Sequence, residues 1–182
     1  MVILITGASH TGKTFLAQRL LEKMHIPYLS EDHLKMGLIR SGQTCLTPED
    51  DEKLTAYLWP IVRVIIKTAI ENRQSLIVEG CYVPFDWRKD FDEQTQKSIR
   101  FICLAMTDAY IDAHFDKIKA NASAIEQRLD DTYCTIDRVK AENRAYIEGF
   151  ERAGEPVTCI GVDFTATIRA ISEKEGEGIW QI

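Results

Sequence analysis

Gly7-Ala8-Ser9-His10-Thr11-Gly12-Lys13-Thr14 is the stretch on which the fold turns. It follows the apolar run Val2-Ile3-Leu4-Ile5-Thr6 and leads into Phe15-Leu16-Ala17-Gln18-Arg19-Leu20-Leu21. The order is strand, glycine-rich loop, helix, with G-x-x-x-x-G-K-[ST] spacing at the junction. Gly7 and Gly12 let the backbone turn so that successive N–H groups point inward at an anion. The helix that follows presents its positive N-terminal end to the same place. Ala8, Ser9, His10 and Thr11 supply loop backbone. Lys13 is placed to reach the β- and γ-phosphates of ATP, and the Thr14 hydroxyl to ligate Mg²⁺.

The 182 residues suffice for one domain with its own core. A net charge of −6 argues against a broad nucleic-acid surface. No apolar stretch is long enough to span a bilayer, so no membrane role is expected. The N-terminal apolar run is too short for a signal peptide and leads straight into the phosphate loop. Cys45, Cys81, Cys103, Cys134 and Cys159 are odd in number and lack C-x-x-C spacing. Buried free thiols in a reducing cytoplasm are the expectation. The four histidines lack metal-ligand spacing, so no metal beyond nucleotide-bound Mg²⁺ is expected.

Short apolar runs recur at 2–6, 26–30, 75–79, 99–106 and 156–160. Runs of this kind suit strands buried on both faces of a parallel sheet. Their alternation with helical patterns predicts a three-layer α/β fold. The longest helical pattern is expected to start at Thr47-Pro48-Glu49-Asp50, with Thr47 as cap and Pro48 in the first turn. Leu54, Leu58, Ile61, Ile65, Ile66 and Ala69 follow helical spacing, and Pro60 is expected to kink or split the helix. A second helix carries Ile136, Val139, Asn143, Tyr146, Ile147 and Phe150 on one side and stops near Gly154. The periodicity fails between 119 and 135, which reads as a loop. A last helix begins near Asp163.

Phosphoryl transfer needs charge neutralisation and positioning more than covalent help from the protein. Asp32 follows the second strand, where ligands of such sheets bind. It can orient an acceptor or take its hydroxyl proton, or it can cap a helix. Glu31 is its neighbouring alternative. Lys35, Arg40 and Arg88 are candidate anchors for an acceptor anion. Glu79 ends the third strand and suits Mg²⁺ or acceptor binding. Arg128, in the loop, and Arg138, on the next helix, are candidates for closing over the phosphates. The alternative reading is a capping acid for Asp32 and Glu79 and a solvated or salt-bridged surface residue for the cations.

With the phosphate loop, Asp32, Glu79-Gly80, Arg128 and Arg138 in view, the chain resembles the nucleoside-monophosphate-kinase-like group of P-loop kinases. Leu29-Ser30-Glu31-Asp32-His33-Leu34-Lys35 is similar to the substrate-entry segment of adenylate kinases, with Lys35 where those enzymes carry arginine. Glu79-Gly80 through Pro84 and Arg88 resembles their Asp-Gly-x-Pro-Arg stretch. Arg128-Leu129-Asp130-Asp131 with Arg138 resembles their lid, and Val162-Asp163 the stretch near their adenine pocket. The Glu-Gly strand end also resembles 2-phosphoglycerate-kinase-like proteins. Asp32 resembles the acceptor-side acid of shikimate-kinase-like and chloramphenicol-phosphotransferase-like enzymes. The resemblance implies one P-loop kinase domain over 1–182 with a parallel five-stranded sheet of order 2-3-1-4-5. It further implies a helical acceptor-binding insert at about 33–72 and a lid at about 119–135.

The expected activity is ATP- and Mg²⁺-dependent transfer to a small molecule, with a nucleoside monophosphate or other anionic metabolite as acceptor. A hydroxyl-directed kinase using Asp32 as base is the alternative. A nucleotide-dependent switch is a third class, but DxxG and NKxD-like motifs are absent from the sequence.

Overall fold

The first strand is buried at every position, which requires cover on both sides. Val2 and Leu4 face one apolar cluster together with Val78 and Cys103. Ile3 and Ile5 face the other with Ile77, Ile102 and Leu104. This is the alternation a pleated strand imposes. In the computed structural model, residues 1–121 and 134–177 are described. In chain order the elements are β1 (Val2–Gly7), α1 (Lys13–Met24), β2 (Tyr28–Ser30), α2 (Glu31–Arg40), α3 (Asp51–Glu71), β3 (Leu76–Glu79) and a 3-10 turn (Trp87–Asp90). Then come α4 (Glu93–Lys97), β4 (Ile99–Met106), α5 (Asp108–Ala120), α6 (Ile136–Arg152), β5 (Val157–Ile160) and α7 (Phe164–Glu177).

The strands form one sheet of order β2-β3-β1-β4-β5, and every pairing is parallel. The five apolar runs thus become the five expected strands, in the expected three-layer arrangement. Leu16, Ala17 and Leu20 of α1 and Ile168 of α7 cover one face. Trp59, Val62, Ile66 and Ala69 of α3, with Phe150 of α6, cover the other. Leu16, Leu20 and Ile66 are fully buried, each contributing about 1.5–3 kcal/mol. Such parallel strands all end on one edge, which is where β1 opens into the phosphate loop.

Three local expectations change. Thr47 does not cap α3; its N–H and hydroxyl both donate to the Asp50 carboxylate, at 3.0 and 3.1 Å. The residue that precedes the helix is Asp50 itself. A short polar turn, which suits Thr and Asp better than a helix start does, therefore takes the place of the first turn. Pro60 does not split the helix, which runs unbroken from Asp51 to Glu71. Packing of Leu58, Trp59 and Val62 on both sides of it outweighs the one lost hydrogen bond. The thiols are all free, but Cys45 and Cys159 are exposed.

The segment expected as an acceptor-binding insert holds most of α2 and all of α3. Leu54 and Leu58 pack with Leu34, Leu38 and Tyr82 in a satellite cluster, whereas the lower turns of α3 belong to the main core. At the expected lid, α5 extends to Ala120 and Thr135 caps α6 by accepting the Arg138 N–H. The intervening positions, Arg128 among them, lie outside the described residues.

Candidate functional site

The phosphate loop leaves β1 and enters α1 through two left-handed residues, His10 (φ 65°) and Gly12 (φ 84°). Such alternation turns neighbouring N–H groups to one side and forms an anion-binding concavity. Gly12 is required twice over. Its φ favours glycine, and a Cβ there would meet Cζ of Phe164 at 2.6 Å. The loop from β5 to α7 is thereby held against the phosphate loop. The Thr11 hydroxyl and Lys13 Nζ both donate to the Ala8 carbonyl, at 2.8 and 2.9 Å. The Ser9 N–H and hydroxyl donate to one oxygen of Glu142, at 2.8 and 2.9 Å.

Thr14, in the first turn of α1, donates its hydroxyl to the Glu79 carboxylate at 3.3 Å. Glu79 is 2% exposed and lies opposite Ile5 of β1 and Ser30 of β2 in the sheet. Sequence placed these two side chains together, and the sheet does so. Two hard oxygens beside a phosphate cradle fit Mg²⁺, which keeps waters and takes few protein ligands. Among the described residues, no cluster of three or more His, Cys, Asp or Glu could hold a metal. The donor set thus fits an ion shared with nucleotide phosphates better than a resident metal.

Glu31 is fully buried. Its Oε2 accepts the Tyr82 N–H at 2.7 Å, while its Oε1 has no hydrogen-bond partner. Burial pushes its carboxyl up to about 8; the Tyr82 N–H opposes this, and the charges of Glu79 and Asp32 add to it. Gly80 makes room for it, because a Cβ there would sit 2.1 Å from Glu31 Oε2.

Asp32 lies one residue further along α2 and accepts Lys35 Nζ at 2.6 Å. Lys35 also donates to the Tyr82 hydroxyl at 2.9 Å, which donates to Asp51 at 3.3 Å. Asp32, Lys35, Tyr82 and Asp51 thus form a chain of contacts linking α2, the turn after β3 and the start of α3. Burial raises the Asp51 carboxyl, and the charges of Lys35 and Arg138 oppose that shift. Arg138 itself is exposed in the first turn of α6. On that helix, Tyr146 donates to the Cys81 carbonyl at 2.7 Å. The buried Asn143 accepts the Met106 N–H at 2.6 Å, tying α6 to the end of β4.

Other expected site residues lie elsewhere. Arg88 is bound through Nε and Nη2 to Glu155, a buried residue two positions before β5. That is the edge where the strands begin, so Arg88 is not brought to the phosphate loop. Its side chain satisfies a buried carboxylate and stacks on Trp87, 4.5 Å from that ring. Arg40 is exposed at the far end of α2, about 12 Å along the helix axis from Asp32. Asp163 is exposed and accepts the Ala166 N–H at 3.0 Å, capping α7. Its successor Phe164 is the residue that reaches the loop.

Sequence reasoning missed Glu142, Asp51 and Phe164. Glu142 had one available signal, its position four residues after Arg138 and hence on the same side of the helix.

No protein-family model matches the chain, and no curated protein matches it. Solved structures do. A deoxyadenosine kinase from M. mycoides, bound to dCMP and dCDP, superposes with a TM-score of 0.60 at 15% identity, over 97% of this chain and 100% of that one. Shikimate kinase from Aquifex aeolicus gives 0.51 at 13% identity over 99% of each chain. A gluconokinase from Sinorhizobium meliloti gives 0.50 at 13% identity, over 98% and 95%. At such identities the likeness is one of fold: the chain has the P-loop kinase-like fold, spanned nearly end to end.

Proposed function

We propose that the protein is an ATP-dependent phosphotransferase that moves the γ-phosphate to a small acceptor held between the phosphate loop, α2 and α3. The observation that carries this is the meeting of Thr14 with Glu79 at 3.3 Å beside the loop that holds Lys13. The loop N–H groups and Lys13 would bind the β- and γ-phosphates. Thr14 and Glu79 would hold Mg²⁺, directly or through water, and the bound ion would neutralise phosphate charge during transfer. Arg138, whose charge acts on Asp51, would add positive charge over the transferring group. Arg128 is proposed for the same task. Phe164, against Gly12, supports placing the nucleotide base beside the β5–α7 loop.

One observation favours a hydroxyl acceptor over a phosphate-bearing one. Of the three cations expected to hold an acceptor anion, Lys35 is bound to Asp32, Arg88 to Glu155, and Arg40 sits at the far end of α2. An acceptor hydroxyl would attack the γ-phosphorus as the bond to the β-phosphate oxygen breaks. Asp32 would take the hydroxyl proton, leaving ADP and a phosphate monoester. Both neutral and anionic acceptors occur among the likenesses, as their names say.

The test is ADP release from ATP and Mg²⁺ across nucleosides, nucleoside monophosphates, sugars, sugar acids and shikimate-like alcohols, with Lys13→Ala as control. Acceptor-dependent ADP release that Lys13→Ala abolishes is expected. Acceptor-dependent release that survives in Lys13→Ala would refute the mechanism. Stimulation by monophosphates alone would return the acceptor to the anionic class.

A further inference from the structure

The Ser9–Glu142 contact is not explained by phosphate transfer. An anion-binding loop presents N–H donors to a phosphate, yet one of them already has an anion. The Ser9 N–H and hydroxyl converge on Oε1 of Glu142 from 133 residues away. A carboxylate oxygen receiving two donors is a charge-assisted arrangement and an imitation of a phosphate oxygen.

We propose that Glu142 is a built-in competitor for the nucleotide's phosphates, occupying the Ser9 donors until ATP displaces it. The proposal rests on the reading of the loop as a nucleotide phosphate site. Phosphate and Glu142 cannot share those donors, because two anions at hydrogen-bond distance repel. The helix is held independently of this contact. Asn143 accepts the Met106 N–H, Tyr146 holds the Cys81 carbonyl, and Phe150 is fully buried in the core. Val139 in the first turns is also buried, at 2% exposed, so the displacement is a swing of the Glu142 side chain. Arg138, one turn earlier on the same side, lies within i,i+4 reach of the released carboxylate. The charge of Glu142 also acts on Asp51, so its movement changes the field at the acceptor side as nucleotide arrives.

Occupied donors lower the fraction of protein competent to bind, and apparent affinity falls by that fraction. Glu142→Gln keeps the shape and removes the negative charge. Its affinity for ATP and for inorganic pyrophosphate, by titration calorimetry, is expected to be about tenfold higher than wild type, or about 1.4 kcal/mol. Adenosine, which carries no phosphate, is expected to bind both proteins equally. Glu142→Asp, whose carboxylate falls one methylene short, is expected to shift affinity the same way; thermal unfolding of each variant verifies the fold. Unchanged or weaker ATP binding in both folded variants overturns the proposal. An equal gain for adenosine does so too, since the effect would then not concern phosphate. If wild type binds ATP no better than Lys13→Ala, the phosphate-site reading itself fails, a result distinct from failure of the competitor.

Discussion

Glu31 Oε2 lies 2.7 Å from the Tyr82 amide, so a buried carboxyl on α2 fixes the turn that follows β3. That turn begins at Gly80, directly after Glu79. The position of the candidate Mg²⁺ ligand thus depends on an acid with no direct role in the proposed chemistry. Protonation removes the cost of burying its charge, at the expense of a weaker bond from Tyr82.

That arrangement makes stability depend on pH in a definite direction. The folded protein holds the Glu31 proton up to about 8, against an ordinary value of 4.5. Between those values the folded state binds more protons than the unfolded one, so this contribution is full below 4.5 and is lost as pH rises through 8. Glu31→Gln cannot ionise and keeps an acceptor for Tyr82. In metal-free urea unfolding from pH 5 to 9, the variant is expected to gain stability relative to wild type as pH rises. Parallel curves for the two proteins would show that Glu31 is not protonated in the native state.

Glu79→Gln tests the Thr14–Glu79 pair. The amide keeps a neutral oxygen but loses the charge that favours a divalent ion. The Mg²⁺ concentration for half-maximal nucleotide affinity is expected to rise about 10–100-fold, while affinity for metal-free nucleotide stays the same or improves. Equal losses with and without Mg²⁺ would point to a role on the acceptor or in the fold.

Arg88→Ala separates a structural arginine from an acceptor clamp. Removing it leaves Glu155, 4% exposed, without its bidentate partner. A loss of about 1–3 kcal/mol in unfolding free energy is expected, with the Michaelis constant for acceptor within about threefold of wild type at a temperature where the variant is folded. A large rise in that constant with unchanged stability would restore Arg88 to the acceptor.

Where sequence succeeded, the cause is local. Val2–Gly7, the glycine-spaced loop and Leu16, Ala17 and Leu20 lie within one strand–loop–helix unit, and their spacing constrains their geometry. Thr14 and Glu79 were also legible, because each ends or begins an element at the same edge of a parallel sheet. Arg88 was misplaced because the chain after Glu79 turns back along the sheet, drawn by Trp87 and Phe91 into the core, and composition carries no trace of that direction. For Glu142 the only signal was its spacing of four residues from Arg138. A glutamate in an amphipathic helix looks like solvated surface, and only tertiary packing sets it on Ser9. Thr47 does not start the helix because its own donors turn to the Asp50 carboxylate, a local turn that propensity does not resolve.

Helix α3 has two mechanical halves. Its first turns, with Asp51, Leu54 and Leu58, lean on Tyr82, on the side proposed for the acceptor. Beyond Pro60, Val62, Ile66 and Ala69 are packed into the main core, and Arg63 is fastened to Asp90 at 2.9 Å. Proline lacks the N–H that would bind the carbonyl four residues earlier, so the break in the hydrogen-bond ladder falls where the two halves meet. Hydrogen exchange would divide at that residue. Amides of the first two turns would open locally and slow when an acceptor binds, whereas those from Val62 onward would exchange only with global unfolding. One continuous helix would in this way give the protein a compliant wall for its ligand and a rigid one for its core.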